Sequence, residues 1–86
     1  MSYQPLIKVH LWSGLRSLVG GQDAVELRAG TIGQMLEALV REYPALKDAV
    51  EAGVSVSIDG KIYAQGLTQP VSEDNEIFLL QRIKGG

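Results

Sequence analysis

The residues best suited to chemistry are the last two of the sequence, Gly85 and Gly86, which follow the polar and basic run Gln81–Lys84. An α-carboxyl group ionises well below neutral pH, so Gly86 offers a carboxylate. Glycine has no Cβ atom, which lets a backbone enter a narrow channel. The six residues Gln81–Gly86 reach roughly 20 Å when extended. We therefore expect a flexible arm that presents Gly86 as the reacting group. The alternative is a frayed terminus, since most chain ends are poorly ordered.

The other potentially reactive residues do not form a recognisable metal, thiol or phosphate-binding site. His10 is the single histidine and cannot form a metal site alone, and the absence of cysteine excludes disulfides, thiolate metal sites and a thiol nucleophile. The acidic run Glu73–Glu76 allows either a metal cluster or a solvated turn, and we favour the turn. Gly20-Gly21 is too short for a phosphate-binding loop. We therefore expect neither a metal nor a bound cofactor.

Composition places the chain among small globular proteins. With 86 residues and 45% hydrophobic content, we expect one domain spanning 1–86, of which 81–86 is the tail. A net charge of -2 and a pI near 5.2 argue against a nucleic-acid partner. No apolar run approaches the roughly 20 residues that span a bilayer, and the N-terminus lacks signal-peptide features. We expect a cytoplasmic protein without a membrane partner.

Alternation of apolar and polar residues predicts the strands that would position the tail. The predicted strands are Leu6–Trp12, Gln22–Arg28, Val54–Ile58, Lys61–Tyr63 and Glu76–Gln81. The first two form an antiparallel hairpin across a long loop, and Asp59-Gly60 is a hairpin-turn signal. The last strand is the most apolar, which is typical of a central strand covered on both faces.

One helix should cover this sheet. Thr31 and Gln34 fit a capping box in which the Gln34 side chain reaches back to the helix start. Pro44 ends the helix, and a short second helical segment runs on to Gly53. The apolar stripe of the helix is Ile32, Met35, Leu36, Leu39, Val40 and Tyr43. A single stripe covers one face of one sheet, so the sequence predicts an α+β two-layer domain.

A surface for a partner is also indicated. Trp12, Phe78 and Leu80 alternate toward the sheet face away from the helix, and an exposed apolar patch there would be a partner surface. Aromatic residues favour such contacts. The alternative is that Trp12 folds under the loop formed by residues 13–21.

The order of elements and the terminal Gly85-Gly86 resemble the β-grasp fold of ubiquitin-like proteins. Within that group, the chain is similar to bacterial sulfur carriers of the thiamine type and to the small subunit of molybdopterin synthase. The matching segments are Ile7–Val9, Leu11-Trp12, Leu15–Gly20, Thr31-Ile32, Ser57–Gly60, Leu67 and Ser72–Ile77. Their order, closed by Gly-Gly, covers almost the whole chain.

The resemblance implies a function for the tail. A separate adenylating enzyme would use Mg-ATP to activate Gly86, and a sulfur donor protein would replace AMP to leave a thiocarboxylate. The sulfur would then serve cofactor biosynthesis, with molybdopterin favoured, and a synthase large subunit is a further partner. The chain would not be catalytic alone. The partner-binding residues would be Gly85, Lys84, Ile83, Arg82, Leu80, Phe78 and Trp12.

Two features keep rival functions open. The tail lacks the prolines common in those carriers, and its basic, alternating Arg82-Ile83-Lys84 resembles the tail of ubiquitin. Arg82 stands as far from the end as an arginine that ubiquitin's activating enzyme contacts. One alternative is therefore a ubiquitin-like modifier joined to lysines through Gly86. The other is a non-covalent interaction module.

Overall fold

A computed structural model of the chain describes residues 4–63 and 66–81. The strands are β1 (Leu6–Leu11), β2 (Ala24–Arg28), β3 (Val54–Ile58), β4 (Lys61–Tyr63) and β5 (Ile77–Gln81). The α-helices are α1 (Ser13–Arg16), α2 (Ile32–Glu42) and α3 (Lys47–Ala52), with 3-10 turns at Ser17–Val19 and Pro44–Leu46. No α-helix in these described residues is long and apolar enough to cross a membrane.

The strands form one mixed sheet in the order β2-β1-β5-β3-β4. The β1–β2 and β3–β4 pairs are antiparallel hairpins, and β5 runs parallel to β1 and antiparallel to β3. The predicted α+β two-layer architecture and the central place of the last strand are confirmed. The helices pack on one face of the sheet, as the two-layer prediction requires. Strand β5 is therefore not covered on both faces, as its apolar run taken alone would indicate, and Phe78 is 37% exposed on the other face.

The core lies between the sheet and α2. The inward residues of the three middle strands are almost fully buried, as alternation predicts. They are Ile7, Val9, Leu11, Val54, Val56, Ile77 and Leu79. From α2, the buried residues Ile32, Met35, Ala38 and Leu39 meet them. This contact fixes β5, and therefore the point at which the tail leaves the sheet.

Helix α2 begins as its sequence predicts, with one difference. The Thr31 hydroxyl accepts a hydrogen bond from the Gln34 amide at 3.2 Å, as in a capping box. The Gln34 side chain reaches one residue further back, where its oxygen accepts from the Gly30 amide at 2.7 Å. Two more first-turn amides donate to a distant loop: Ile32 to the Gln69 carbonyl at 3.0 Å and Gly33 to the Leu67 carbonyl at 2.8 Å.

The segment between the hairpin strands is more ordered than a plain loop. Strand β1 ends at Leu11 rather than at Trp12, and residues 13–19 form α1 and a 3-10 turn. Leu15 and Val19, four residues apart, are both buried, so one helical face packs on the core. Gly20 ends the turn in the left-handed conformation with φ 72°, and β2 starts only at Ala24. The predicted strand from Gln22 was two residues too long at its start.

The stretch after Pro44 agrees with the predicted second helical segment. Tyr43 ends α2, and its amide donates to the Leu39 carbonyl at 2.8 Å. Leu46 is fully buried, and Val50 is half-buried against the core. Gly53 follows α3 with φ 110°, a backbone conformation that favours glycine, and leads directly into β3.

Candidate functional site

The central strand β5 leads into the tail. Its neighbours hold it on both edges, with Leu79 opposite Leu11 of β1 and Gln81 opposite Val54 of β3. The chain therefore leaves the sheet from its middle, at the end where β3 begins. The predicted site residues Arg82, Ile83, Lys84, Gly85 and Gly86 lie outside the described residues.

The sheet face opposite the helices carries an aromatic stack. The rings of His10 and Phe78 lie 4.7 Å apart between centroids, with an interplanar angle of 23°. The register explains this contact, since His10 stands directly opposite Phe78 in the parallel pair. Stacked rings are worth about 0.5–1.5 kcal/mol beyond the area they bury. His10 therefore belongs to the same surface as Phe78, in agreement with the outward position that alternation predicts for it.

We define the open sheet face as His10, Ile62, Phe78 and Leu80. Ile62 lies one strand beyond Ser57, which itself stands opposite Phe78, so the pairs form one row across the sheet. Ile62 is 63% exposed, and Leu80 and His10 are half-buried. Ile62, Phe78 and Leu80 make this surface largely apolar, and it includes the strand that leads to the tail, which suits a partner contact.

Charged side chains border the open sheet face on the hairpin side. Lys8 stands opposite Glu26, and Leu6 stands opposite Arg28. These charged residues are exposed, in contrast to the half-buried His10 next to them. An apolar centre with a polar rim is the usual anatomy of a protein interface.

Trp12 does not lie on the open sheet face beside Phe78 and Leu80, where the predicted apolar patch would place it. It precedes α1 and is half-buried, and it packs against the buried core. A Cβ atom added at Gly14 would lie 2.6 Å from the Trp12 ring nitrogen, so the ring covers Gly14. This geometry favours the alternative in which Trp12 folds under the loop. Its contact with a partner stays a prediction.

The acidic turn lies at the other end of β5 from the tail. The Asp59 carboxylate accepts from the Asn75 side chain at 2.6 Å and from the Glu76 amide at 2.8 Å, and so ties this turn to the β3–β4 hairpin. Glu73 and Asp74 are exposed. Among residues 4–63 and 66–81, no group of three or more histidine or acidic side chains is arranged to hold a metal ion. The arrangement is that of a solvated structural turn.

A second surface, on the helical layer, was not predicted. An apolar groove of about 380 Å³ lies between α2 and α3, lined by Leu36, Val40 and Val50 with Glu37 and Arg41. One signal for it is present in the sequence, since Leu36 and Val40 belong to the predicted α2 stripe but are only half-buried in the structure. Whether they would meet the core or an open groove depends on where α3 packs.

Comparison with known proteins agrees with this architecture. A model of a protein family, described as the ThiS family, matches residues 9–86. A search of curated proteins finds no match. Among solved structures, small archaeal modifier protein 1 from Methanosarcina acetivorans aligns with a TM-score of 0.80 at 24% identity, covering 99% of this chain and 100% of that one.

Two structures of complexes contain a similar chain. The Amycolatopsis orientalis BexX/CysO complex aligns with a TM-score of 0.74 at 18% identity, covering 93% of this chain and 99% of that one. The complex of subunits 1 and 2 of molybdopterin-converting factor from Helicobacter pylori gives 0.66 at 16% identity, covering 94% and 99%. At these identities the structures show a shared fold, the predicted ubiquitin-like β-grasp. With the family model matching nearly the whole length, the chain belongs to the ThiS family.

Proposed function

We propose that this chain is a sulfur carrier whose Gly86 is activated by one partner, loaded with sulfur and then used as a sulfur donor. The observation that carries the proposal is the family match, which runs through β5 to residue 86 itself. The fold supports it, because the central strand is held on both edges through Leu79 and on the β3 edge up to Gln81, and it leads toward the proposed reacting end. In this proposal the paired strand β5 positions residues 82–86 for the partner, and positioning is the domain's contribution to the reaction.

The chemistry first activates the Gly86 carboxyl group and then replaces one of its oxygen atoms with sulfur. A carboxylate oxygen attacks the α-phosphorus of Mg-ATP, and pyrophosphate leaves, giving an acyl adenylate. A hydrosulfide equivalent from the donor protein attacks the carbonyl carbon, and AMP leaves with the carbon–oxygen bond electrons. The product is a thiocarboxylate, whose sulfur is a soft nucleophile. That sulfur attacks an electrophilic carbon of the acceptor and displaces an oxygen leaving group, which gives a thioester. Water then cleaves the acyl carbon–sulfur bond, so the sulfur stays on the acceptor and the Gly86 carboxylate is restored.

A separate enzyme is proposed for the adenylation. A helix N-terminus is the simplest phosphate site in a small fold, because its first amides are free. At α2 those amides are engaged within the fold: Ile32 and Gly33 bind loop carbonyls, and Gln34 binds the Thr31 hydroxyl. This geometry supports a division in which the partner binds Mg-ATP and this chain supplies only the substrate carboxylate.

The open sheet face and the tail are the proposed docking elements. Phe78 and Leu80 lie on the strand that leads to the tail, so a partner bound there would receive residues 82–86 directly. Arg82 and Lys84 suit an acidic channel. The proposed partners are an adenylating enzyme, a sulfur donor protein and a synthase large subunit. Similar chains occur in the H. pylori and A. orientalis complexes, which supports the expectation of protein partners.

The acceptor is proposed to be a molybdopterin precursor. The similarity to the molybdopterin-converting factor complex supports this choice. The second candidate function is a protein modifier that is joined to lysines through Gly86. One observation favours it: the structure with a TM-score of 0.80 is a small archaeal modifier protein. Both functions share the adenylation and differ in whether sulfur or an amine attacks next.

Mass spectrometry of the untagged protein from its native cell tests the proposal. Replacement of one oxygen by sulfur at Gly86 is expected for the carrier. Glycyl-glycyl remnants on lysines of other proteins would instead establish the modifier. Deletion of Gly86 should abolish both products, and Asp74→Ala, in the exposed turn at the other end of β5 from the tail, serves as a control. An unmodified Gly86, with full activity after its deletion, would refute both covalent functions.

A further inference from the structure

Strand β2 forms one edge of the sheet, and this edge can accept a further strand. In the part of the chain that the structure describes, β2 pairs with β1 alone. An open edge presents a row of backbone amides and carbonyls that can pair with another chain. The strand at the opposite edge, β4, has three residues and carries Lys61, and both short length and an edge lysine discourage such pairing. Strand β2 has five residues in unbroken register and contains no lysine or proline.

The hydrogen bonds to β1 determine which backbone groups of β2 point outward. The Ala29 amide donates to the Pro5 carbonyl at 3.1 Å. At the other end, the Leu11 amide donates to the Asp23 carbonyl at 2.9 Å. Because bonded and non-bonded pairs alternate along an antiparallel ladder, the odd-numbered residues of β2 bond to β1 and the even-numbered ones point outward. The outward residues are Ala24, Glu26 and Arg28.

The side chains along this edge carry opposite charges two residues apart. Glu26 and Arg28 are both exposed. Within the sheet, Glu26 stands opposite Lys8, whereas Arg28 stands opposite the apolar Leu6. Among residues 4–63 and 66–81, no carboxylate forms an ion pair with Arg28, whose guanidinium donates to the Gln4 carbonyl at 3.4 Å. Arg28 can therefore take a carboxylate partner from another molecule.

We propose that β2 pairs with β2 of a second copy of this chain, antiparallel and centred on Leu27. A twofold axis at Leu27 sets Glu26 of each copy opposite Arg28 of the other. Because both residues have outward backbone groups, each such pair exchanges both of its backbone hydrogen bonds. Each pair also brings opposite charges together across the interface, which stabilises paired strands. The two sheets then continue into one another.

Charge selects this register over its neighbours. Pairing must keep the buried faces of both strands on one side, and a slip of one residue would turn them to opposite sides. A twofold axis at Glu26 would set two carboxylates directly opposite each other, and an axis at Arg28 would set two guanidinium groups opposite each other. Like charges in that position destabilise the pair. An axis at Val25 would set Glu26 opposite Ala24 and leave Arg28 without a carboxylate.

The paired segment is short. Beyond Arg28 the next residue of the same parity is Gly30, whose amide donates to the Gln34 side chain at 2.7 Å and whose carbonyl accepts from the Val71 amide at 3.0 Å. The ladder between the copies therefore ends at Arg28, and so small an interface gives a weak dimer that forms only at high concentration. Strand β1 separates β2 from β5, so the interface does not involve the strand that leads to the tail. The dimer does not depend on the proposed function of Gly86.

Analytical ultracentrifugation of the full chain and two charge variants tests the pairing. We expect a monomer–dimer equilibrium with a dissociation constant of about 10 μM to 1 mM. Arg28→Glu makes the edge acidic and Glu26→Arg makes it basic, so each variant alone should self-associate at least about tenfold more weakly. An equimolar mixture should form a heterodimer, because both pairs across its interface again join opposite charges. A full chain that stays monomeric at about 1 mM, variants that self-associate like the original chain, or a mixture that associates no more than its components would each overturn the proposal.

Amide hydrogen exchange provides a second measurement on the unmodified chain, and it does not depend on the folding of any variant. At the concentration where half of the chains are dimeric, exchange of the outward Glu26 and Arg28 amides should be about twofold slower than in dilute solution. The Leu27 amide between them bonds to β1 and serves as the internal control, with the same protection at both concentrations. Equal exchange of the outward amides at both concentrations would contradict the pairing. Neither experiment requires adenylation, so failure of the dimer and failure of the carrier function are separately visible.

Discussion

Replacing Leu39 by alanine tests the layer that holds the tail-bearing strand. Leu39 is fully buried in the middle of α2, within the core cluster that contains Ile77 and Leu79 of β5. The substitution removes three carbon atoms, worth about 2.4 kcal/mol at roughly 0.8 kcal/mol per buried methylene. The cavity left behind raises the expected loss of unfolding free energy to about 2.7–5 kcal/mol.

That loss is large for a domain of this size. At roughly 0.05–0.15 kcal/mol per residue, 86 residues give about 4–13 kcal/mol of total stability. A loss of 3 kcal/mol should lower the melting temperature by about 15 °C, at roughly 4–8 °C per kcal/mol. Urea unfolding followed by fluorescence measures the effect, because Trp12 is the only tryptophan and packs against the core.

The matched control is Glu37→Ala, at an exposed position of the same helix. Exposed substitutions usually change the unfolding free energy by less than about 0.5 kcal/mol. If Leu39→Ala also stayed within about 0.5 kcal/mol of the original chain, the apolar stripe of α2 would face water. The two-layer arrangement would then be wrong, and so would the proposal that β5, packed under α2, positions the tail.

Three further predictions concern other contacts. Thr31→Ala should cost about 0.5–2 kcal/mol in urea unfolding, because the Gln34 amide loses its 3.2 Å acceptor, whereas Thr31→Asp should keep most of the stability. Asp59→Ala should cost about 1–3 kcal/mol in the same assay, since it removes two charge-assisted hydrogen bonds; Asp59→Asn should lose less, and equal stability of all three would contradict the role of the turn. Phe78→Ala should weaken binding of the adenylating enzyme at least about tenfold in calorimetry, as expected for an aromatic anchor. Its effect on unfolding should exceed the roughly 0.5–1.5 kcal/mol of the lost ring stack, because the buried part of Phe78 is lost as well, and undiminished binding would exclude the open sheet face as the docking surface.

The sequence alone determined the elements and most of their inward faces. Alternation in β1 and β5 placed Ile7, Val9 and Leu79 correctly, because side-chain direction along a strand repeats every two residues. The α2 start was predictable because a cap joins residues only three positions apart. These features depend on local chemistry, which a sequence records directly.

The errors arose where packing of distant segments decides the outcome. Residues 13–19 looked like a loop, but Leu15 and Val19 become helical by burying one face on the core. The N-terminus of α2 is completed by carbonyls of Leu67 and Gln69, which the sequence places more than thirty positions away. Short-range patterns carry no record of such contacts.

The candidate site divides in the same way. The Gly85-Gly86 pair and the apolar run of β5 before it are visible directly in the sequence. Only the tertiary structure pairs His10 with Phe78, turns Trp12 onto Gly14 and leaves a groove beside Val50. The physical reason is register: strand pairing and helix packing determine which outward side chains become neighbours, and both form between segments far apart in the chain.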